Sequence, residues 1–374
     1  MTQKLKIPFF ALDRQFKRYK NEFLNIVEEV FSTGKVLQGA PVAELEKKIA
    51  TLCNRKYAIA VGSCTDALAY ALISCGIKPG DEVLVTSLSF IASASPIIRV
   101  GGKPIFVDIE PNYYMMDIKD AQKKTSSKTK FLIAVHLFGQ CLNMEEIESF
   151  AKKHNIIIIE DAAQALGSFY NRRPAGNMGT VSCVSFDPTK VVGSFGSGGM
   201  LMTDSNEIAE KSIQLRYHGK DSKTSQYVRL GYNSQLSSEH AALLSFKMDH
   251  LPQWLKKRKN IAETYIRELQ NIEDLILPRI RPGSTHNWHK FVIRIKNRDH
   301  LKRFLEDNGI QTMVHYPVPL YKIPYIAAHC GKKISFPVIE KVCSEILSLP
   351  LYPELTKKEI SYTINAIKNS LIKQ

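Results

Sequence analysis

The chain has 374 residues, 44% hydrophobic and 23% charged, proportions that suit a soluble globular protein with room for two domains and a large core. Its formal net charge of +15 admits nucleic acid, a membrane surface or small anionic ligands as partners. No apolar run is long enough to cross a membrane and no signal-peptide pattern opens the chain. The seven cysteines form neither a CxxC pair nor a zinc spacing, which points to reduced thiols in a cytoplasmic protein and to no metal site.

From Tyr57 onward, short apolar runs alternate with helical stretches. Ala58–Val61 leads into a helix over Thr65–Gly76, and Glu82–Thr86 into one over Phe90–Val100. Pro104–Val107, Phe131–Val135 and Ile156–Glu160 follow, with an amphipathic helix over Met144–His154 between the last two. The basic stretch Lys123–Lys130 reads as an exposed loop. Alternation of this kind predicts an α/β fold with a mostly parallel sheet covered by helices on both faces, and ligands in such sheets bind beyond the strand C-termini. Ser63, Phe90, His136 and Asp161 fall at or just past such ends. His136 reads better as a buried, hydrogen-bonded histidine than as a catalyst.

A β-like run over Thr180–Phe186 then precedes the glycine-rich stretch that contains Lys190. A long helical stretch, Ser237–Leu269, carries Lys256-Lys257-Arg258-Lys259. Without interleaved aromatics or a nucleic-acid fold motif, that run reads as a solvated helix face. A smaller α+β unit follows, with a strand at Lys290–Ile295, a helix at Asp299–Asn308, a strand near Thr312–Val314 and a C-terminal helix from Thr356. The chain is therefore expected to divide into a large α/β domain over 1–250 and a small C-terminal α+β domain over 251–374.

The stretch Val184 to Gly199 is the most informative. Lys190 stands on a short loop beyond a strand, among small residues, where a rigid base and a partly dry pocket suit a Schiff-base amine. Asp161 ends the buried-looking run Ile156 to Glu160. A strand-end aspartate with a downstream loop lysine is the pairing expected for pyridoxal 5′-phosphate (PLP). The plainer alternative for Asp161 is the N-cap of a helix beginning at Ala162.

Motifs along almost the whole chain resemble the DegT/DnrJ/EryC1/StrS family of PLP-dependent sugar-nucleotide aminotransferases. Besides the two segments around Asp161 and Lys190, they include Ile7 to Gln15, Ser63 to Leu68, Asp81 to Ser87, Val135 to Gln140, Gly231 to Leu236, His315 to Leu320 and Leu349 to Thr356, in the family's order. The resemblance implies an aspartate-aminotransferase-like, type I PLP fold and a homodimer with active sites at the subunit interface. It implies that Lys190 holds the cofactor and shuttles the proton, and that Asp161 keeps the pyridine nitrogen protonated. Cys64, Thr65 and Ser185 would bind the phosphate, Phe90 would stack on the ring, and Gln164 would lie near the phenolic oxygen. Asn233 would reach the phosphate from the partner subunit. Arg229 would offset an arginine that the family has where Gln235 stands. His315 and Tyr316 would contact substrate from the other subunit. Cys64, Leu166, Ser197 and Gln235 depart from the family's pattern.

The implied reaction moves the amino group of L-glutamate to a nucleotide-linked keto-sugar. Pro188, Gly193 and Gly196 follow the family's 3-keto pattern, and the histidine and threonine of the 4-keto pattern are absent. A 4-keto-sugar aminotransferase is the alternative within the class. The family's dehydratase branch is disfavoured by the presence of Lys190. A non-catalytic regulatory or binding protein, reading DNA through the +15 charge, is the alternative from another class.

Overall fold

In the computed structural model, which describes residues 5–330 and 334–372, a seven-stranded sheet forms the centre of the molecule. Its strands are β1 (Tyr57–Val61), β2 (Glu82–Thr86), β3 (Lys103–Val107), β4 (Thr129–Val135) and β5 (Ile157–Asp161), then, after a small hairpin of β6 (Phe169–Tyr170) and β7 (Arg173–Pro174), β8 (Val181–Ser185) and β9 (Gly199–Thr203). Across the sheet the order is β1-β9-β8-β5-β4-β2-β3. Within it only β9 runs against the rest, so the other strands all end on one side. The expected mostly parallel sheet is present. β2 and β9 are buried along their whole length, as a sheet covered on both faces requires.

The helix Met144–His154 falls where the sequence predicts it. Asn143 caps it by accepting from the Glu146 N–H, and Asn155 ends it with φ 54°. Other expectations need correction. Phe90–Val100 is a 3₁₀ turn, Ile91–Ser93, followed by a short helix, Ser95–Arg99. Lys123–Lys130 is not one exposed loop: it spans the end of the helix Ile118–Lys124 and the start of β4. There the Lys124 amine pairs with Asp120 and lies 3.6 Å from the Phe336 ring centroid. Thr312–Val314 forms no strand, only a bridge from Met313 to Ser348.

The helix Ser238–Leu269 leads from the sheet to the C-terminal unit, and a division at 250/251 falls inside it. Arg258 is not on a solvated face: it is buried and donates to the carbonyls of Trp288 and Leu351. In the C-terminal unit β10 (Phe291–Arg294) pairs antiparallel with β11 (Ile346–Leu349). The helices Arg298–Asp307 and Lys357–Ile372 flank them over a core that includes Ile7, Tyr265, Phe291 and Leu305. The sequence reading leaves β9, β11 and the helices Leu12–Arg18, Lys20–Ser32 and Ala40–Leu52 unassigned.

Candidate active site

A cleft of about 470 Å³ opens beyond the C-terminal ends of the parallel strands. Cys64, Thr65, Phe90, Asp161, Gln164, Ser185 and Lys190 line it from the sheet side, and His289, Lys290, His315 and Tyr316 from the C-terminal unit.

β1 runs into Ser63, whose hydroxyl accepts from the Asp66 N–H and starts the helix Cys64–Ser74. The first N–H groups of that helix have no intrahelical acceptors, which makes its end an anion site. β9 passes directly beneath. A Cβ at Gly199 would come within 2.4 Å of the Cys64 nitrogen, so only glycine lets strand and loop approach so closely.

Asp161 ends β5, buried. One oxygen accepts from the Ser93 hydroxyl at 2.7 Å, the other from the Ala163 N–H at 3.1 Å. The residues that follow form a turn and no α-helix, so the helix-cap alternative reduces to a single hydrogen bond. Burial pushes the Asp161 carboxyl up, against the Ser93 and Ala163 hydrogen bonds and the charge of Lys190. Its two hydrogen bonds come from neutral donors, so it lacks a bonded cation. Glu160, the preceding residue, points to the opposite side of the strand. It accepts from His136, from the N–H groups of Gly176, Met178 and Gly179, and from Ser182. Burial alone would raise this carboxyl, but those hydrogen bonds bring it down to about 2. His136 is thus the buried, hydrogen-bonded histidine that the sequence favours.

Lys190 sits on a tight loop after β8. Its N–H donates to the Asp187 carbonyl at 2.9 Å, and the Asp187 carboxylate accepts from the Thr189 N–H and hydroxyl. A Cβ at Gly193 would lie 2.4 Å from the Pro188 carbonyl oxygen, so that position requires glycine. The buried Lys247 amine donates to the Gly193 carbonyl at 2.6 Å and holds the loop from behind. Burial pushes the Lys190 amine below its ordinary value, against the nearby charges of Asp187 and Asp161.

Gln164 accepts from the Phe138 N–H and donates across the cleft to the Tyr316 hydroxyl at 3.2 Å. His315 pairs with Ser348 and stacks on Phe9, 5.5 Å between centroids. His315 and Tyr316 therefore line the cleft of their own chain, which corrects the expectation that the other subunit brings them. Asn233 and Arg229 do not reach this cleft. Asn233 is exposed and accepts from Gln235, and Arg229 donates to Gln214. The sequence reading missed His289, Lys290 and the clamp above them. There Asn287 donates to the carbonyls of Gln164 and Leu166 and accepts from the His289 N–H. The pattern that carries it, Asn287-Trp288-His289-Lys290 before an apolar strand, has no periodic signature.

These groups fit PLP. A helix N-terminus suits its phosphate, a buried carboxylate without a cation suits its pyridinium N–H, and a partly desolvated amine suits its aldehyde carbon. The model of the DegT/DnrJ/EryC1/StrS aminotransferase family matches residues 17–368. The chain belongs to this family. It is 40% identical over 365 residues to a pleiotropic regulatory protein of Geobacillus stearothermophilus, covering 97% of this chain and 98% of that one. It is 36% identical over 361 residues to dTDP-3-amino-3,6-dideoxy-alpha-D-galactopyranose transaminase of Aneurinibacillus thermoaerophilus, covering 96% and 98%. Among solved structures, S. venezuelae DesV in complex with a ketimine intermediate superposes with a TM-score of 0.94 at 33% identity, covering 97% and 98%. The family member is an aminotransferase whose cofactor is pyridoxal phosphate, on the aspartate-aminotransferase-like type I fold.

Proposed function

We propose that this aminotransferase moves the amino group of L-glutamate to a nucleotide-linked 3-keto sugar and makes a 3-amino sugar. One observation carries the reading: a desolvated amine, Lys190, and a buried carboxylate, Asp161, face one cleft beside the N-terminus of the helix Cys64–Ser74. The relative from A. thermoaerophilus, named for a dTDP-3-amino sugar, supports the 3-position over the 4-position.

When bound, PLP supplies an electron-withdrawing ring that stabilises negative charge at the donor's Cα. Lys190 would hold the cofactor, and its amine would carry the proton between the donor's Cα and C4′ of the cofactor. Burial lowers the affinity of its amine for protons, the direction a proton acceptor needs. Asp161 would accept a charge-assisted hydrogen bond from the pyridine nitrogen and hold that proton in place. Cys64, Thr65 and Ser185 would hold the phosphate, Gln164 the phenolic oxygen, and Phe90 the ring face; all five line the cleft. His315 and Tyr316 belong to the substrate side.

The same proposal includes a homodimer with shared sites and a division of each chain into 1–250 and 251–374. The separate core around Tyr265 and Phe291 supports a second unit, to which Ile7 and Ala11 of the N-terminal segment also contribute. The hairpin between Tyr217 and Asn233 supports the dimer. It leaves Tyr227 70% and Leu230 83% exposed, and it keeps Asn233 and Arg229 outside their own chain's cleft.

The name of the G. stearothermophilus relative favours a second reading, a regulatory protein on the same fold. One experiment separates the two. Protein loaded with PLP is mixed with L-glutamate, and the cofactor's absorbance and 2-oxoglutarate release are followed. A panel of nucleotide keto-sugars is then added and the amine position assigned by NMR. Glutamate-dependent conversion and a 3-amino product are expected. An inert cofactor, with DNA binding that falls steeply with salt, would establish the regulatory reading instead.

A further inference from the structure

Lys290 is a charge in the cleft that the proposed chemistry leaves without a use. Only 7% exposed, it lines the cleft with Lys190, His289 and Tyr316. Its position is fixed: its N–H donates to the Phe138 carbonyl at 3.1 Å, and Asn287 ties the preceding residue to the turn after Asp161. No carboxylate or hydrogen-bond acceptor among the described residues pairs with its ammonium. What it does have is the face of Phe9, 4.7 Å from the ring centroid, and that ring stacks in turn on His315. An aromatic face offsets only part of the loss of hydration.

A buried ammonium without an anion is costly, and proteins normally pair such groups. Burial and the charges of Lys190 and Arg258 push the Lys290 amine down to about 7, against Asp187. Lys190 is committed to the cofactor, and Arg258 to two backbone carbonyls. Lys290 is left as the cation of the cleft with open donor positions, opposite the sheet-side wall.

We propose that Lys290 is the receptor for a carboxylate of the substrate, which enters the cleft and completes the missing ion pair. The inference rests on the aminotransferase reading of the site and names a specificity-determining residue within it. Two substrates can present such a group: the amino donor, and a sugar oxidised to an acid at its terminal carbon.

The test measures binding to PLP-loaded protein by calorimetry, with glutarate as the donor-like probe and UDP-glucuronate against UDP-glucose as the sugar pair. Lys290→Met should weaken at least one acidic probe by about tenfold or more, and Lys290→Arg should hold it within about threefold of wild type. UDP-glucose, without a carboxylate, should bind both variants like wild type. Loss with glutarate assigns the donor's carboxylate. Loss with UDP-glucuronate alone assigns an acidic sugar. Equal affinities of wild type and Lys290→Met for both acidic probes, or binding of neither by wild type, would overturn the proposal. Should Lys290→Met fail to fold by circular dichroism, Lys290→Gln takes its place under the same criteria. Failure of the wild type to convert L-glutamate would defeat the aminotransferase reading, while the probe affinities still decide the role of Lys290.

Discussion

The sheet-side wall of the cleft is made by residues at the ends of parallel strands, whereas the opposite wall is made by irregular backbone at 287–290 and 313–316. Asp161 and Ser185 take their positions from adjacent strands whose ladder, from Ile159–Val181 to Asp161–Cys183, fixes their spacing. His289 and Tyr316 take theirs from long-range side-chain bonds, Asn287 to the carbonyls of Gln164 and Leu166, and Gln164 to the Tyr316 hydroxyl. The first wall is rigid by secondary structure and carries the chemistry. The second is rigid by a few polar contacts and suits the selection of substrate. Substitutions on the two walls should therefore fail differently, the first in rate, the second in affinity and stability.

The largest effect is expected at Lys190. Lys190→Ala should fold, should show no shift in melting temperature beyond a few degrees, and should lose about 10³-fold or more in turnover, since a positioned proton carrier contributes on that order. Substantial activity without added amines would remove Lys190 from the proton path. Asp161→Asn comes next, with a loss of about a hundredfold in rate. The amide keeps the Ser93 and Ala163 bonds within reach but cannot hold a proton on the pyridine nitrogen. If Asp161 only capped the turn, asparagine would be nearly silent, because it caps as well as aspartate does.

A mixed dimer sharpens the comparison by asking whether a third wall exists. Lys190→Ala and Asn233→Asp homodimers should both be poor, the second because its carboxylate faces a phosphate. After the two are dissociated and reassociated together, one site of each heterodimer collects both defects and the other collects none. About a quarter of wild-type activity should return, since half the dimers are mixed and each has one intact site. If Asn233 served its own chain, both heterodimer sites would carry one defect. No recovery, with exchange confirmed by mass, would refute the shared site.

The two walls also differ in how they read from sequence. β2, β4 and β5 are short apolar runs with sharp polar ends, so Thr86, His136 and Asp161 mark strand ends in the sequence itself. Lys190 stands out because Pro188 and Gly193 enforce a tight loop around it. β9 is not legible in this way: Gly199–Thr203 is buried throughout, so it has no alternation, and its role is to let a glycine pass under Cys64. Glu160 and Asp161 look equivalent in sequence, yet the two-residue period of the strand sends one to the cleft and the other to a structural anchor. Asn287 and Lys290 escape a sequence reading because their partners lie more than a hundred residues away, at Phe138, Gln164 and Leu166.

Asn287→Ala tests the second wall. It leaves the buried carbonyls of Gln164 and Leu166 and the His289 N–H without their partner, at roughly 1–3 kcal/mol for each group that water does not reach. The melting temperature should fall by several degrees. The KM for the amino donor should rise several-fold, with kcat reduced less, because neither Lys190 nor Asp161 bonds Asn287 directly. A fall in kcat alone would mean that the two walls are not separable.

The smallest effect concerns the support behind the first wall. Lys247 is fully buried, donates to the Gly193 carbonyl and lies 4.1 Å from the Phe195 ring centroid. Burial pushes its amine from the ordinary 10.5 down to about 7, with Glu354 opposing. The unfolded chain therefore binds more protons than the folded one between about pH 7 and 10.5, and stability rises with pH across that window. Below it both states are protonated and the cost of the buried charge is present in full. Lys190 and Lys290 act with the same sign, so the informative quantity is the difference between wild type and Lys247→Met. Methionine keeps most of the stem's packing, removes the charge and leaves the Gly193 carbonyl unpaired. Its melting temperature should lie below wild type at pH 10, and the gap should narrow or reverse as the pH falls to 6.5. Parallel melting curves across that range would show that Lys247 keeps one protonation state throughout, and that the lysine loop is held by a cation rather than by a neutral amine.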